Sequence, residues 1–500
     1  MSLGYKQRQL NAKPDLRDWL QQVNESDELL TLNGVDPELE IGAIAEINAQ
    51  KRGPAIIFDE IKGYKKGFRV LISATISPER LSLTLGMKPF SLRNLLTSLE
   101  GKHSEWLSKE RSFSPKVVSD GPVLENSANQ EEIDLLKFPA PLWNELDGGR
   151  YLGTGDIVIL RDPETNLVNL GTYRIMVHDK QTLGIYISPS HHGALIMRKY
   201  HAQGKPCPVA VSFGHHPIML VAGSSALPFG ISEYNYAGAV LGRSIDVING
   251  AVTGLPIPAS SELAIEGFIP PNKTMPEGPF GEYTGYYTSG RQNQTIIEVS
   301  AVYHRDDPII LGAMNNKPPH DYTLLSSVMK SMMVKDQMIA AGIPEVRGVW
   351  FHEAAAVNFL IAVSIHQVYK GHSTQAGLIA AQTQVAATGN GRYVVVVDDD
   401  IDPMNLEELV WAIGTRSNPE TGIDIIRRTF NNKLDPIAPR DSKEWSASRA
   451  VIDACRPFSQ IKDFPVVVSA RPEIKKLVAE KFRQLNFSEK DRTLDRLDVK

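Results

Sequence analysis

Apolar positions recur with two different periods along the chain, and the switches between them divide it into parts. In the first hundred residues the pattern is mixed. Asp36-Pro37 predicts a helix start, with Asp as the cap and Pro at the first helical position, and Leu39, Ala43, Ile44 and Ile47 form its apolar stripe. Residues 54–58 and 68–72 read as short apolar strands, hairpin-like, with Gly63-Tyr-Lys-Lys-Gly67 between them. From about Pro139 to Tyr303 short β-branched and aromatic runs recur between glycines and prolines, at 156–160, 184–187, 209–213 and 295–299. That spacing predicts an antiparallel barrel or sandwich, interrupted by one helix over 194–203. Beyond Pro319 the longer period returns, with a helix over 324–341, a buried parallel strand at 392–397, an acidic run at 398–402 and a helix over 406–413. Pro472 opens a last helix with Ile474, Leu477, Val478 and Phe482 on one face, and 486–500 is a charged tail or partner-bound arm. The fold class is therefore α/β (α+β) with a β-rich middle.

Length and composition narrow the class of protein. A chain of 500 residues exceeds one ordinary core, so two or three domains are expected. The net charge of −5, without any run of lysines and arginines, argues against a nucleic-acid partner and leaves room for a small anion held by a few local arginines. Cys207 and Cys455 are too far apart in sequence to suggest a disulfide framework or a zinc site. The first residues lack the apolar core of a secretory signal, and no stretch approaches the roughly 18 apolar residues of a membrane span. A reducing, cytoplasmic location is expected.

Four segments are candidates for chemistry. Pro276-Glu-Gly-Pro-Phe-Gly-Glu282 holds two carboxylates on a Gly/Pro backbone that neither helix nor strand can occupy for long. Such a loop can aim both acids into one cavity, where enclosure raises a pKa into the proton-donor range; a surface turn with solvated glutamates is the other reading. Asn169-Leu-Gly-Thr-Tyr-Arg174 lies on an apparent strand, which puts Asn169 and Arg174 on opposite faces unless a bulge at Gly171 intervenes. Arg174 by itself also reads as a strand-edge arginine paired with any nearby acid. Ser190-His-His-Gly193 precedes a helix, where backbone amides and imidazoles suit a phosphate or a metal-bound phosphate, although tandem histidines also occur as plain loop residues. His215-His216 is given no role. Ile231-Ser-Glu233 adds a carboxylate to a mixed N/O donor set that Mn²⁺ or Mg²⁺ accepts. The acids of 398–402 look like a metal cluster, but acids that end a parallel strand also cap helices and shape loops.

At these residues the sequence resembles the UbiD family of reversible decarboxylases over nearly its whole length. The resemblance is carried, in order, by Asp147-Gly-Gly-Arg-Tyr151, 169–174, Met176-Val-His-Asp179, Glu277-Gly-Pro-Phe-Gly-Glu282, Asp399-Asp-Ile-Asp402 and Trp411-Ala-Ile-Gly-Thr-Arg416. It implies an N-terminal α/β region (1–125), a central split β-barrel that binds flavin (126–318), a C-terminal α/β domain (319–465), and a terminal helix and tail (466–500) used in dimerisation. It also implies prenylated FMN, supplied by a flavin prenyltransferase, with its phosphate held through Mn²⁺ or Mg²⁺ and a potassium ion alongside. On matching positions Asn169, His192 and Glu233 are the divalent ligands; His192 is preferred to His191 from its distance to the 177–179 segment. Tyr173, Arg174 and His191 join them in holding the cofactor. Glu233, carbonyls near Ala222 and Ser225, and the Arg416 region are implied for potassium.

The same resemblance makes Arg174, Glu277 and Glu282 the catalytic set. Arg174 holds Glu277 ionised, and Glu282 donates the proton that replaces CO2. A lysine that some members place on the flavin phosphate has no counterpart in Ala386-Ala-Thr-Gly-Asn-Gly391, and Lys370 is the available substitute. Segments 276–290 and Tyr303-His-Arg-Asp-Asp-Pro308 look nearer to the bacterial hydroxybenzoate-type enzymes than to the cinnamate-type ones. The expected substrate is a planar aromatic or heteroaromatic acid with a polar ring substituent, met by Tyr283, Asn315, His320 and Tyr322. The alternatives are an α,β-unsaturated acid, a flavin or nicotinamide oxidoreductase, and a non-catalytic accessory subunit. No G-x-G-x-x-G follows a strand, since Gly389-Asn-Gly391 lacks a third glycine and precedes one instead. The complete Arg174, Glu277 and Glu282 set is more than a scaffold requires.

Overall fold

The computed structural model describes residues 14–438 and 446–482. They fall into two compact units, residues 1–455 and 456–500.

The first unit is built on four sheets. Leu29–Asn33 and Ala55–Asp59 pair in parallel, Ala55–Asp59 pairs antiparallel with Arg69–Ile72, and the sheet is completed by Ile309–Leu311, parallel to Arg69–Ile72. The expected antiparallel pairing of the second and third strands is observed, but the fourth strand comes from 240 positions further along the chain. The helix expected from Asp36 begins later, as Glu40–Gln50, with Leu39 in the left-handed region at φ 68° in place of a capped start. Its buried face is Ile41, Gly42, Ala45 and Ala49, on nearly the opposite side of the helix from the expected stripe, and Ile47 is 54% exposed. Close packing explains the correction: a Cβ on Gly42 would fall 1.8 Å from the Trp143 carbonyl oxygen, so this face can approach its neighbour only where side chains are small.

The middle of the chain forms a ten-stranded sheet. Its order runs from Tyr151–Gly153 through Ile175–Val177, Thr182–Ile185, Gln292–His304, Leu263–Ile269, Cys207–Phe213 and Ile157–Arg161 to Val168–Gly171, antiparallel at every step and without closing on itself. Thr274–Glu277 pairs with the long Gln292–His304 strand as an extra hairpin. The helix expected at 194–203 is His192–Ala202; Pro217–Ser224 and Glu233–Leu241 are further helices in this region.

After Thr323–Ala340 comes a five-stranded sheet in which Tyr393–Asp398 is parallel to Leu360–Ile365 on one side and to Ser446–Asp453 on the other. That is the buried parallel strand its unbroken valines predict. The second unit contains the helix Pro472–Lys481, whose Ile474, Leu477 and Val478 are all exposed, as is Phe482 just beyond it. The tail expected at 486–500 lies outside the described residues. Among the described residues no helix is long and apolar enough to cross a membrane.

Candidate active site

The two glutamates are placed by a hairpin and a clamp. Glu277 is the last residue of Thr274–Glu277 and pairs with Gln292, so residues 278–291 form the tip between paired strands. Asp147 and Gly148 grip this tip. The Gly281 amide donates to Asp147 Oδ1 (2.9 Å), and the Gly148 amide donates to the Pro279 carbonyl (2.7 Å). A Cβ at Gly148 would sit 1.9 Å from the Gly278 carbonyl oxygen, and Gly278 itself has φ +79°. Only glycines permit this approach.

Arg174 then joins the two acids. Its Nε and Nη2 donate to Glu277 Oε1 and Oε2 (2.8 Å each), and its Nη1 donates to Glu282 Oε1. Tyr151 adds a bond from its hydroxyl to Glu277 Oε1 (2.8 Å). The guanidinium lies 4.6 Å from the Tyr186 ring centre and 5.3 Å from that of Phe280. Both glutamates are buried, 1% and 5% exposed, which excludes the solvated-turn reading. Their environments differ. Glu277 receives a bidentate fork and a phenol, whereas Glu282 has one contact on a single oxygen. Burial pushes the Glu282 carboxyl up to about 7; Arg174 pulls it back, and the charge of Glu277 pushes it further up. The arrangement is a carboxyl gripped by a fork beside an acid that exchanges its proton near neutrality.

Asn169 and Arg174 do not lie on one strand. Val168–Gly171 pairs with Ile157–Arg161, and Ile175–Val177 pairs with Thr182–Ile185 and Tyr151–Gly153. The chain changes partners across 172–174, so neither strand alternation nor a bulge governs the two side chains. Asn169 Nδ2 donates to Glu233 Oε1 (3.0 Å), and the Leu170 amide donates to Glu233 Oε2 (2.8 Å). Burial pushes the Glu233 carboxyl up to about 8. Asn169 Oδ1 is buried with no hydrogen-bond partner, so a carbonyl oxygen is left over beside a carboxylate, a donor pair that suits a hard divalent ion. His191 and His192 stand at the start of the His192–Ala202 helix, and burial lowers both imidazole pKa values toward the neutral, ligating form. The Tyr173 ring packs 5.9 Å from His191. Its hydroxyl fills the space left by Gly171 and Gly193, where a Cβ would come within 2.5 Å and 2.7 Å of it. His192 packs against Phe229 at 5.2 Å and makes no hydrogen bond to Asn169 or Glu233. Among the described residues no three His, Cys, Asp or Glu side chains gather as a metal cluster.

The other expected positions are distributed as follows. Ala222 and Ser225 end the Pro217–Ser224 helix, with the Ser225 amide donating to the Ala222 carbonyl (3.1 Å). Arg416 binds Asp400 through both terminal nitrogens (2.8 and 2.7 Å) and Asp398 at 3.3 Å, while Asp402 shapes its own loop through the Met404 amide (2.9 Å). The acidic run is thus engaged as loop former and arginine partner. Lys370 is exposed on the turn before His372–Gln382. His320 is buried, and both of its ring nitrogens meet backbone: Nε2 the Tyr283 carbonyl (3.2 Å), Nδ1 the Tyr322 amide (3.3 Å). It positions Tyr283 and neither faces solvent nor keeps a free donor. The Asn315 Oδ1 is buried without a partner, and the Tyr322 hydroxyl donates to the Thr154 carbonyl (2.5 Å). Sequence reasoning missed the parts played by Asp147 and Tyr151. Both stand in the quoted Asp147–Tyr151 motif, but the contact that reveals each spans 126 positions or more of the chain.

Three models of 3-octaprenyl-4-hydroxybenzoate carboxy-lyase domains match in chain order: the N-terminal domain over residues 20–99, the Rift-related domain over 116–318 and the C-terminal domain over 323–454. That succession defines a carboxy-lyase. The pyrrole-2-carboxylic acid decarboxylase of Pseudomonas aeruginosa is 31% identical over 420 residues, 81% of this chain and 83% of that protein. The closed form of the vanillic acid decarboxylase of Sedimentibacter hydroxybenzoicus superposes with a TM-score of 0.82 at 28% identity, over 96% of this chain and 100% of that one. The UbiD-class enzyme HmfF of Pelotomaculum thermopropionicum, in complex with FMN, gives 0.81 at 26% identity over 94% and 100%; an evolved dimeric form of it in complex with prFMN gives 0.78 at 25% over the same shares. The chain belongs to the UbiD family.

Proposed function

We propose that the protein catalyses the reversible, non-oxidative decarboxylation of an aromatic or heteroaromatic carboxylic acid with prenylated FMN. The observation that carries this reading is the unequal division of Arg174 between Glu277 and Glu282. When bound, the cofactor supplies the electron sink for the electrons released as the carbon–carboxyl bond breaks. The residues of this chain do the rest. Arg174 fixes the direction of Glu277 through two hydrogen bonds, while the rings of Tyr186 and Phe280 pack against the guanidinium. Glu282 in its neutral form gives its proton to the carbon that loses CO2 and recovers one from water before the next turnover. In the reverse direction its carboxylate takes that proton away.

The same reading assigns Asn169, His192 and Glu233 to a divalent ion, Mn²⁺ or Mg²⁺, against the cofactor phosphate, with Tyr173 and His191 shaping the surround. Ala222, Ser225 and Glu233 are assigned to potassium, and Arg416 is left out because its guanidinium is taken up by Asp398 and Asp400. The leftover Asn169 Oδ1 beside Glu233 supports the first assignment. The division of the chain at 125, 318 and 465 is supported at 318, where the matched Rift-related domain ends; that match begins at 116 and the C-terminal match ends at 454, and the strand Ile309–Leu311 is lent back to the N-terminal sheet. A homodimer is favoured by the bare apolar face of Pro472–Lys481, and a cytoplasmic setting by two buried free cysteines. The prenylated cofactor implies a flavin prenyltransferase as supplier.

The test is to purify the protein from cells that make prenylated flavin. The reading expects near-UV and visible absorption, a bound mass matching prenyl-FMN, and stoichiometric Mn²⁺ or Mg²⁺, with Glu233→Ala lowering both metal and flavin. Colourless wild-type protein, or full metal in the variant, overturns it.

A further inference from the structure

Beyond Glu282 lies a buried amine that the reaction leaves without a task. Lys330, on the helix Thr323–Ala340, is largely buried, and its Nζ donates to one neutral acceptor, Asn358 Oδ1 (2.5 Å). No carboxylate among the described residues pairs with it, and burial pushes its ammonium down to about 8. A buried cation without an anion is costly, and proteins rarely retain one unless a ligand supplies the missing charge.

Its surroundings share this surplus of donors. The Asn358 side chain also hydrogen-bonds the Tyr283 hydroxyl. With the amide oxygen engaged by Lys330, the amide nitrogen donates to the phenol oxygen, which leaves the phenolic hydrogen to be given elsewhere. Ser327 stands three residues before Lys330 on the same helical face, and its Oγ is buried without a partner. Asn358 is held in place by a strained backbone: Ala356 and Val357 have φ of 49° and 59°, a conformation that a β-branched residue adopts only where its surroundings impose it. Strain of this kind collects where a side chain must be aimed. Tyr283 directly follows Glu282, and its carbonyl is pinned by His320. Tyr283 thus links the cluster to the proton donor next to it in the chain.

We infer that Lys330, Asn358, Tyr283 and Ser327 form a subsite for a second anionic oxygen group on the substrate ring, a carboxylate or a phenolate, remote from the carboxyl group that is lost. The inference rests on the decarboxylase reading and narrows its substrate class to acids that carry a second oxyanion. The two ammonium hydrogens not taken by Asn358 and the phenolic hydrogen are left to meet such a group, while the Asn358 oxygen holds the ammonium in position. An anionic oxygen can also belong to the flavin phosphate, and the experiment separates the two.

Holoprotein, its flavin load read by absorbance and mass, is titrated calorimetrically with acids that differ by one oxyanion: terephthalate against benzoate, and furan-2,5-dicarboxylate against 2-furoate. Wild type is expected to bind the diacid of at least one pair about tenfold or more tightly. Lys330→Met removes that preference and leaves the monoacid within a few-fold. Asn358→Asp, which gives Lys330 an internal anion without emptying the core, removes it as well. No preference in wild type, or equal weakening of both acids in Lys330→Met, overturns the inference, even if the protein is coloured and decarboxylates monoacids. Loss of flavin from Lys330→Met with the preference intact overturns it in favour of the phosphate. Absence of prenylated flavin from wild type condemns the decarboxylase reading itself, and is told apart from failure of the subsite, in which flavin is bound and the preference is missing.

Discussion

Arg174 and Arg416 are both buried guanidinium groups that meet two carboxylates, Glu277 and Glu282 in one case, Asp400 and Asp398 in the other. At Arg416 the fork closes on Asp400, which is about one-third exposed, and Asp398 is also served by the Gln367 amide (2.6 Å). Water can relax that cluster, and its geometry builds the loop between a parallel strand and the next helix. At Arg174 neither acid reaches solvent, and the division is lopsided, with the fork and the Tyr151 phenol on Glu277 and one contact on Glu282. Two arginine–diacid clusters of nearly equal composition thus differ in what they can do. On the proposed reading, reactivity comes from enclosing both acids and underserving one of them, with burial pushing Glu282 up to about 7.

The largest effect is expected from removing the underserved acid. Glu282→Gln preserves shape and an acceptor for Arg174 but has no proton to give, so turnover should fall roughly 10²–10⁴-fold with flavin content unchanged. In wild type the donating form of Glu282 is the neutral one, populated below about pH 7. Decarboxylation should therefore decline as pH rises through 7, and the variant should lose that limb. Steady-state rates between pH 5.5 and 8.5, normalised to bound flavin, decide it; a variant within a few-fold of wild type would mean another group delivers the proton.

A smaller effect tests the lopsidedness itself. Tyr151→Phe takes one charge-assisted bond from Glu277, worth about 1.5–3 kcal/mol. The fork of Arg174 must then serve Glu277 alone and is drawn from Glu282. Since Arg174 lowers the Glu282 pKa, its withdrawal raises it, and the falling limb of the pH profile should move to higher pH as turnover drops about tenfold. A limb that stays in place would show that the two acids do not compete for Arg174.

Much of this was legible before any fold was known, and the exceptions have physical causes. The valine run of 393–398 and the β-rich middle follow from local pattern, because burial on both faces or one dictates which residues can stand there. The glutamates were legible as a pair because a Gly/Pro loop with two acids has few structural uses. The stripe of Glu40–Gln50 was misread because the buried face is the small one, selected by approach to Trp143 and not by hydrophobicity. The break at 172–174 was invisible because nothing in the residues announces a change of strand partner. Lys330 was invisible for the opposite reason: on an amphipathic helix a lysine reads as a solvated face, and its contact with Asn358 comes from a distant part of the chain.

The smallest effect concerns the second cluster and closes the comparison from its other side. Asp400→Asn keeps the shape and one acceptor for Arg416 but removes the charge from the more exposed of its two acids. An ion pair with one partner about one-third exposed contributes little, so the loss should be about 0.5–1 kcal/mol, or roughly 1–2 °C in Tm. Asp398 remains to neutralise Arg416, so the buried guanidinium is not stranded. Turnover per bound flavin and its pH profile should match wild type, because nothing in this cluster takes up or releases a proton in the reaction. Thermal unfolding and rates measured on one preparation suffice. A tenfold loss of turnover in folded, flavin-loaded Asp400→Asn would place the second arginine cluster in the catalytic machinery and dissolve the contrast with the first.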